Sequence, residues 1–284
     1  MLLIRKIVCF ETIFCLMIFT AIYALNNTNT MRSLEIVSNN SYNIIMVTDK
    51  PKEGTKILNI NRSTSSQISK NPENRFPYFA YIEDNFIKPI VKNTSKPIDI
   101  LIIGAGGFVV GLQDKHNNYT FVDIDPDLKD ISEKYFLPEK LSPNKKFIAS
   151  SARAFVRGND KKYDLILIDV FTNKISIPME CTTREFLLDV KKLSKENGVI
   201  MANVIASPIF ADKFTVRYHN TFSSVFNVFS RQIMQPIADN NLWADGARNI
   251  KPEANLLYLY YNNQNVNDNG VYTDDKNSYS IDRP

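Results

Sequence analysis

Ile102-Ile103-Gly104-Ala105-Gly106-Gly107-Phe108 ends one apolar run in a glycine turn, and Val122-Asp123-Ile124-Asp125 ends the next apolar run about twenty residues later. A β-strand that runs into small residues lets its backbone approach a ligand, because no Cβ stands in the way. Gly104, Gly106 and Gly107 are therefore candidate nucleotide contacts. The dinucleotide fingerprint requires a third small residue where Val109 stands, so the pattern fits a G-x-G-G turn of the methyltransferase kind better than an NAD site. An acid at the end of the second strand can accept hydrogen bonds from both hydroxyls of a ribose, which selects Asp123, with Ile124 beside it. Asp125, followed by Pro126, reads as the N-cap of the next helix.

Working outward from this turn, strands and helices alternate, as in a mainly parallel sheet covered on both faces. The predicted strands are Ile98–Ile103, Tyr119–Ile124, Lys146–Ala149, Tyr163–Val170 and Gly198–Ile205. Thr182 and Glu185 form a capping box opening a helix to Glu196, with Asn197-Gly198 as its stop. A further helix over Phe210–Phe226 leads to closing strands at Val228–Met234 and Leu256–Tyr261. The fold class is α/β: a Rossmann-like, methyltransferase-type sheet over residues 97–261, mainly parallel with closing antiparallel strands. In this fold Ser151 and Ala152 lie where the third strand ends, beside the expected adenine position. Asp169 ends the fourth strand, next to the point where strand order reverses and open α/β sheets bind ligands.

Ahead of this unit, residues 34–95 read as a small β-rich domain with a connecting helix. Tyr42–Val47 and Lys56–Ile60 flank the turn-forming Asp49-Lys50-Pro51-Lys52-Glu53-Gly54. After residue 262 the chain is rich in Asn and Asp, and residues 262–284 are expected to be a disordered tail. At the other end, residues 1–25 carry Arg5 and Lys6 before an apolar stretch from Ile7 to Leu25, the pattern of a signal peptide or a single-span anchor. That pattern implies a cell-envelope location; a buried helix of a cytoplasmic protein is the alternative, and Glu11 weighs against a membrane core.

Composition narrows the function classes. With 44% hydrophobic and 23% charged residues the chain can build a sizeable core. Its net charge of +4 is dispersed without a basic block, so no nucleic-acid partner is expected. Cys9 and Cys15 lie in the apolar segment and leave Cys181 alone, which excludes a disulfide framework within one domain. His116 and His219 lack companions at metal-ligand spacing, and no metal site is expected.

With these elements placed, the chain resembles the spermidine synthase (aminopropyltransferase) family after Leu34. Ser41-Tyr42-Asn43-Ile44 is similar to that family's opening strand, Gln67 to its substrate-lining glutamine, and Tyr81 to the tyrosine of its Tyr-His-Glu segment. Gly104–Gly107 match its glycine loop, Asp123 its ribose-binding acid, and Tyr163–Asp169 the strand bearing its catalytic aspartate. Ile177-Pro178, Thr183, Glu185-Phe186-Leu187 and Gly198-Val199 extend the match. The resemblance implies S-adenosylmethionine or its decarboxylated form as co-substrate, no prosthetic group, a small-molecule amine as acceptor and a homodimer. It also implies that Asp169 acts as general base while Gln67 and Tyr81 position the amine.

The departures are chemical. No aspartate stands near Gly107, Ile82 replaces the histidine after the tyrosine, and Ser151-Ala152 replaces an Asp-Gly pair. The second acid of the Asp-x-x-Asp segment is Thr172, so a multiply charged polyamine loses a carboxylate partner. Two rivals stand beside aminopropyl transfer: methyl transfer on the same fold, and a non-catalytic envelope-associated binding protein.

Overall fold

The computed structural model describes residues 2–25, 27–61, 63–71, 76–92, 94–173, 175–236 and 253–262. The chain divides into two compact units: Met1–Ala80 with Gly106–Leu112 and Asp127–Leu141, and Tyr81–Ala105 with Gln113–Pro126 and Ser142–Pro284.

The first unit opens with helix α1 (Leu2–Leu25) and a short helix α2 (Thr28–Ser33), whose N-cap Asn27 accepts from the N–H groups of Asn29 and Thr30. Phe10, Phe14, Leu16, Phe19 and Tyr23 of α1 are all exposed. Among the described residues no helix is long and apolar enough to cross a membrane.

Four antiparallel strands follow in the order β1 (Ile36–Asn39), β2 (Ile44–Lys50), β3 (Thr55–Ile60) and β4 (Ser63–Ser69). The β2–β3 hairpin closes where expected, with Lys50 opposite Thr55. Strands β1 and β4 were absent from the sequence reading. Ser-Thr-Ser-Ser-Gln-Ile-Ser carries no apolar alternation, yet its Ser66 is wholly buried and accepts a hydrogen bond from the Gly107 N–H at 2.9 Å. A serine small enough to bury and fitted with one backbone donor substitutes there for an apolar residue. Ile45, Leu58, Phe108, Leu128 and Phe136 are buried in this unit. The N-cap of helix α5 (Leu128–Ile131) is Asp127, not Asp125. Asp125 is instead wholly buried, its N–H donating to Asp123.

Helix α3 (Pro77–Ile82), in which the division between the two units falls, continues through a π turn (Glu83–Ile87) into α4 (Lys88–Lys92) of the second unit. Seven strands then form one sheet: β5 (Asp99–Ile103), β6 (Asn118–Asp123), β7 (Lys145–Ala149), β8 (Tyr163–Ile168), β9 (Ser194–Ala206), β10 (Ser230–Pro236) and β11 (Ala254–Tyr261). Their order is β10-β11-β9-β8-β5-β6-β7. Pairs among β5 to β9 are parallel, and β11 and β10 add antiparallel to β9. Order reverses at β5, which has β6 on one side and β8 on the other. Helices α6 (Ala152–Arg157), α7 (Arg184–Lys192) and α8 (Lys213–Ser223) complete the unit. One core joins Leu101, Ile103, Ile166, Ile168, Ile200 and Ala202 of the strands to Phe186, Leu187 and Val190 of α7 and Phe222 of α8.

Helix α7 corrects the sequence expectation at both ends. Its N-cap is Thr183, extended at φ −86° and ψ 153°, whose hydroxyl accepts from the Phe186 N–H; Thr182 ends the preceding 3-10 turn and donates its hydroxyl back to Met179 O. Two adjacent threonines offer the same capping chemistry, and only backbone direction chooses between them. The helix stops at Lys192 rather than Glu196. Asn197-Gly198 lies in a bulge of β9, Asn197 at φ +60°, where the register with β8 jumps from Tyr163↔Ser194 to Leu165↔Val199. The predicted helix over Phe210–Phe226 is also shorter, with Asp212 as N-cap of α8. The expected tail falls on residues 263–284, outside the described residues. Thr183→Ala should lower stability in urea unfolding by about 1 kcal/mol. Thr182→Ala should cost less than half of that; the reverse ranking would restore the Thr182 capping box.

Candidate functional site

The carboxyl ends of β6, β8 and β9 bring three polar side chains, Asp123, Asp169 and Asn203, to one edge of the sheet, beside the glycine turn that follows β5. Gly104 ends β5 with φ +94°, and its N–H donates to Val122 O of β6. A Cβ at this position would stand 2.0 Å from Asp169 O and 2.7 Å from Asp169 C. Gly104 is therefore required by the passage of the β8 tip, which the Asp169 N–H completes by donating to Ile103 O at 2.8 Å. In the first unit, a Cβ on Gly107 would meet Phe136 at 2.5 Å, and Gly106 sits at φ +50° against Ser65 and Ser66. All three glycines of the turn thus have packing reasons to be glycine.

Asp123 lies at the end of β6, half-buried. Its Oδ2 accepts from the Ala105 N–H at 3.0 Å and its Oδ1 from the Asp125 N–H at 3.1 Å. Each oxygen keeps acceptor capacity, since an ionised carboxylate offers about four lone-pair sites. Burial raises its pKa above the ordinary carboxylate value; the backbone N–H groups of Asp125, Ala105 and Ile124 oppose that and the charge of Asp125 adds to it. Ile124 is 49% exposed, an apolar side chain turned to solvent directly beside the carboxylate. Ser151 caps α6 by accepting from the Ala154 N–H at 3.2 Å, and Ala152 is the first residue of that helix. Ser150 donates its N–H to Asp123 O, which fixes the β7 end beside the β6 end.

Asp169 follows β8 directly and is half-buried. Loss of hydration at the strand ends pushes its pKa up to about 6, against a hydrogen bond from Asn203 Nδ2 to Asp169 Oδ1 at 2.9 Å. Asn203 was not singled out from the sequence, where Met201-Ala202-Asn203-Val204-Ile205 reads as one more buried strand. The signal that could have found it is an amide inside an apolar run.

The remaining predicted residues are placed differently. Tyr81 is half-buried and donates its hydroxyl to Gln232 Oε1 of β10 at 2.8 Å, with its ring edge on Phe86. Gln67 lies on β4 of the first unit, opposite Ile57. Thr172 is exposed, and both its N–H and its hydroxyl donate to Ser176 O, closing a small loop after β8. Arg231 of β10, also missed from sequence, donates to the carbonyls of Ser207 and Pro208 and lies 4.3 Å over the Phe210 ring, so it pins the chain just after β9.

Residues 80–254 match the spermine/spermidine synthase domain. The chain belongs to that family. A polyamine aminopropyltransferase of Vibrio vulnificus is 31% identical over 165 residues, 56% of this chain and 54% of that one. An N-terminal histidine N-methyltransferase of Emericella nidulans is 35% identical over 135 residues, 44% of this chain and 23% of that one. The chain thus spans about half the length of the aminopropyltransferase it matches. The spermidine synthase structure from Thermotoga maritima overlays with a TM-score of 0.55 at 17% identity, covering 80% of this chain and 73% of that one, a likeness of fold. The Rossmann-like, methyltransferase-type architecture expected from the glycine turn is therefore the architecture of this family member.

The raised pKa of Asp169 has a stability signature. In the folded chain the carboxyl holds its proton up to about pH 6, whereas an unfolded aspartate releases it near 4. The folded state binds more protons between those values, so stability falls as pH rises from about 4 to 6 and stays lower above. Asp169→Asn removes the ionisable group and should stabilise the chain by ~1–3 kcal/mol at pH 7.5, with the gain vanishing near pH 4. A gain independent of pH in thermal unfolding would contradict a desolvated carboxyl.

Proposed function

We propose that this chain binds an S-adenosyl nucleotide at the ends of β5, β6 and β7 and transfers an aminopropyl group to an amine at the end of β8. The observation that carries the reading is Asp169, a desolvated carboxyl at the point of strand-order reversal, with an amide as its side-chain partner. Asp123 would hold the ribose hydroxyls, Ile124 would offer its exposed side chain to the base, and Gly104 would keep the turn close to the nucleotide. These residues suit an S-adenosyl compound: a carboxylate with spare lone pairs for a diol, and an apolar surface for a purine.

In the reaction the amine lone pair attacks the carbon beside the sulfonium. The carbon–sulfur bond breaks with its electron pair going to sulfur, methylthioadenosine leaves as a neutral thioether, and the nitrogen sheds a proton to Asp169. A base with a pKa near 6 is largely ionised at neutral pH and strong enough to take that proton, a role typically worth roughly 10²–10⁴ in rate. Methyl transfer from S-adenosylmethionine to an amine is the second reading, favoured by the stretch similar to a histidine N-methyltransferase.

Purified full chain incubated with decarboxylated S-adenosylmethionine, or with S-adenosylmethionine, and a panel of amines separates these readings by product. Methylthioadenosine release is expected, with kcat/KM rising through about pH 6 and falling at least 10²-fold in Asp169→Asn. S-adenosylhomocysteine alone would establish methyl transfer. Neither product would overturn both and leave a binding protein. Asp123→Ala should weaken methylthioadenosine binding by about 1.5–3 kcal/mol. Putrescine should be a poor acceptor, because Thr172 cannot neutralise its far ammonium, and Thr172→Asp should improve it by about one to two orders of magnitude.

A further inference from the structure

Asn203 is buried, 7% exposed, on the strand face opposite Ala202 and Val204, which point into the core. Its Nδ2 donates to Asp169 Oδ1, and its Oδ1, wholly enclosed, has no hydrogen-bond partner among the described residues. An apolar side chain would fit β9 here without that cost, since Ile200, Met201, Ala202 and Val204 around it are all buried and apolar. The orphan acceptor cannot be satisfied by Asp169, whose carboxylate has no hydrogen to give at neutral pH. A donor brought by a ligand is what the position lacks.

We propose that Asn203 Oδ1 is the second acceptor of the amine site, taking one N–H of the acceptor's nitrogen while Asp169 takes another. The amide then has two tasks: its Nδ2 orients the carboxylate and its Oδ1 orients the amine. A neutral primary amine has two hydrogens and one lone pair. Holding both hydrogens leaves the lone pair a single direction, toward the carbon under attack. After the new nitrogen–carbon bond forms, the proton facing Asp169 is the one released, and the hydrogen facing Asn203 stays on nitrogen, because an amide carbonyl is too weak a base to remove it. The site therefore reads the number of N–H groups on one nitrogen and carries a single negative charge for it. Its fitting ligand is a primary monoamine. Arg231, by pinning Ser207 and Pro208, holds the end of β9 so that the amide keeps its place.

The transfer step rests on the aminopropyl reading, whereas amine recognition does not, so binding and turnover are measured separately. With the full chain saturated by methylthioadenosine, calorimetry would follow n-butylamine and N,N-dimethylbutylamine, whose cations carry three N–H groups and one. Butylamine should bind wild type about tenfold more tightly than Asn203→Leu, while the dimethyl amine should bind both equally weakly. The affinity of methylthioadenosine itself should be unchanged. Asn203→Leu should fold, because it replaces an orphaned amide with an apolar side chain of similar size; Asn203→Ala serves as a second variant with the same expectation. Equal loss of both amines would assign Asn203 only the orientation of Asp169, and no loss, or no amine binding to wild type, would equally overturn the proposal. If butylamine binding depends on Asn203 while decarboxylated S-adenosylmethionine yields no methylthioadenosine, the aminopropyl reading fails and the amine site stands.

Discussion

The backbone of Asp169 passes where the side chain of residue 104 would be. A gap of 2.0 Å between a built Cβ and the Asp169 carbonyl oxygen leaves room for hydrogen alone, and the φ of +94° independently selects glycine. Because β5 and β8 close on each other there, the Asp169 N–H reaches Ile103 O and the Gly104 N–H reaches Val122 O. Three strand ends are thereby locked into one edge. The positions of the Asp169 and Asp123 carboxyls both follow from this contact.

The two edges of the sheet treat charge in opposite ways. At the amino ends of the strands, Lys195 pairs with Asp99 at 3.0 Å and Asp164 at 2.8 Å, and Lys161 with Asp99 at 2.8 Å. These ion pairs are partly exposed and contribute little individually, but they give Asp99 and Asp164 each a cationic partner. At the carboxyl ends, Asp123 is met by backbone N–H groups and Asp169 by an amide, and burial raises the pKa of both. A carboxyl kept short of compensation is poorly stabilised in the free protein and available to a ligand.

Periodicity made the larger unit legible. Five apolar runs ending in glycine, aspartate or serine, separated by helix-length segments, specify a parallel sheet because such strands are buried on both faces. The small sheet was half legible: Tyr42–Val47 and Lys56–Ile60 alternate visibly, while Ser63–Ser69 conceals a strand whose buried position is taken by a hydroxyl with a backbone donor. Thr182 against Thr183, and the Asn197-Gly198 bulge mistaken for a helix stop, failed for one reason. Both sequences suit two local conformations equally, and contacts distant in the chain select one.

The sequence by itself determined the α/β class with its mainly parallel sheet, the glycine turn, and the two acids at strand ends, because each depends on residue type at a spacing set by the period of a strand or a helix. Only the tertiary structure decided what surrounds them. It brought Asn203, 34 residues away, to Asp169, joined Tyr81 to Gln232 across 151 residues, and turned the hydroxyl of Thr172 back into its own loop. Such pairings depend on which strands become neighbours and in what register. No local pattern encodes that, because a hydrogen bond between side chains needs only that the fold place them within reach.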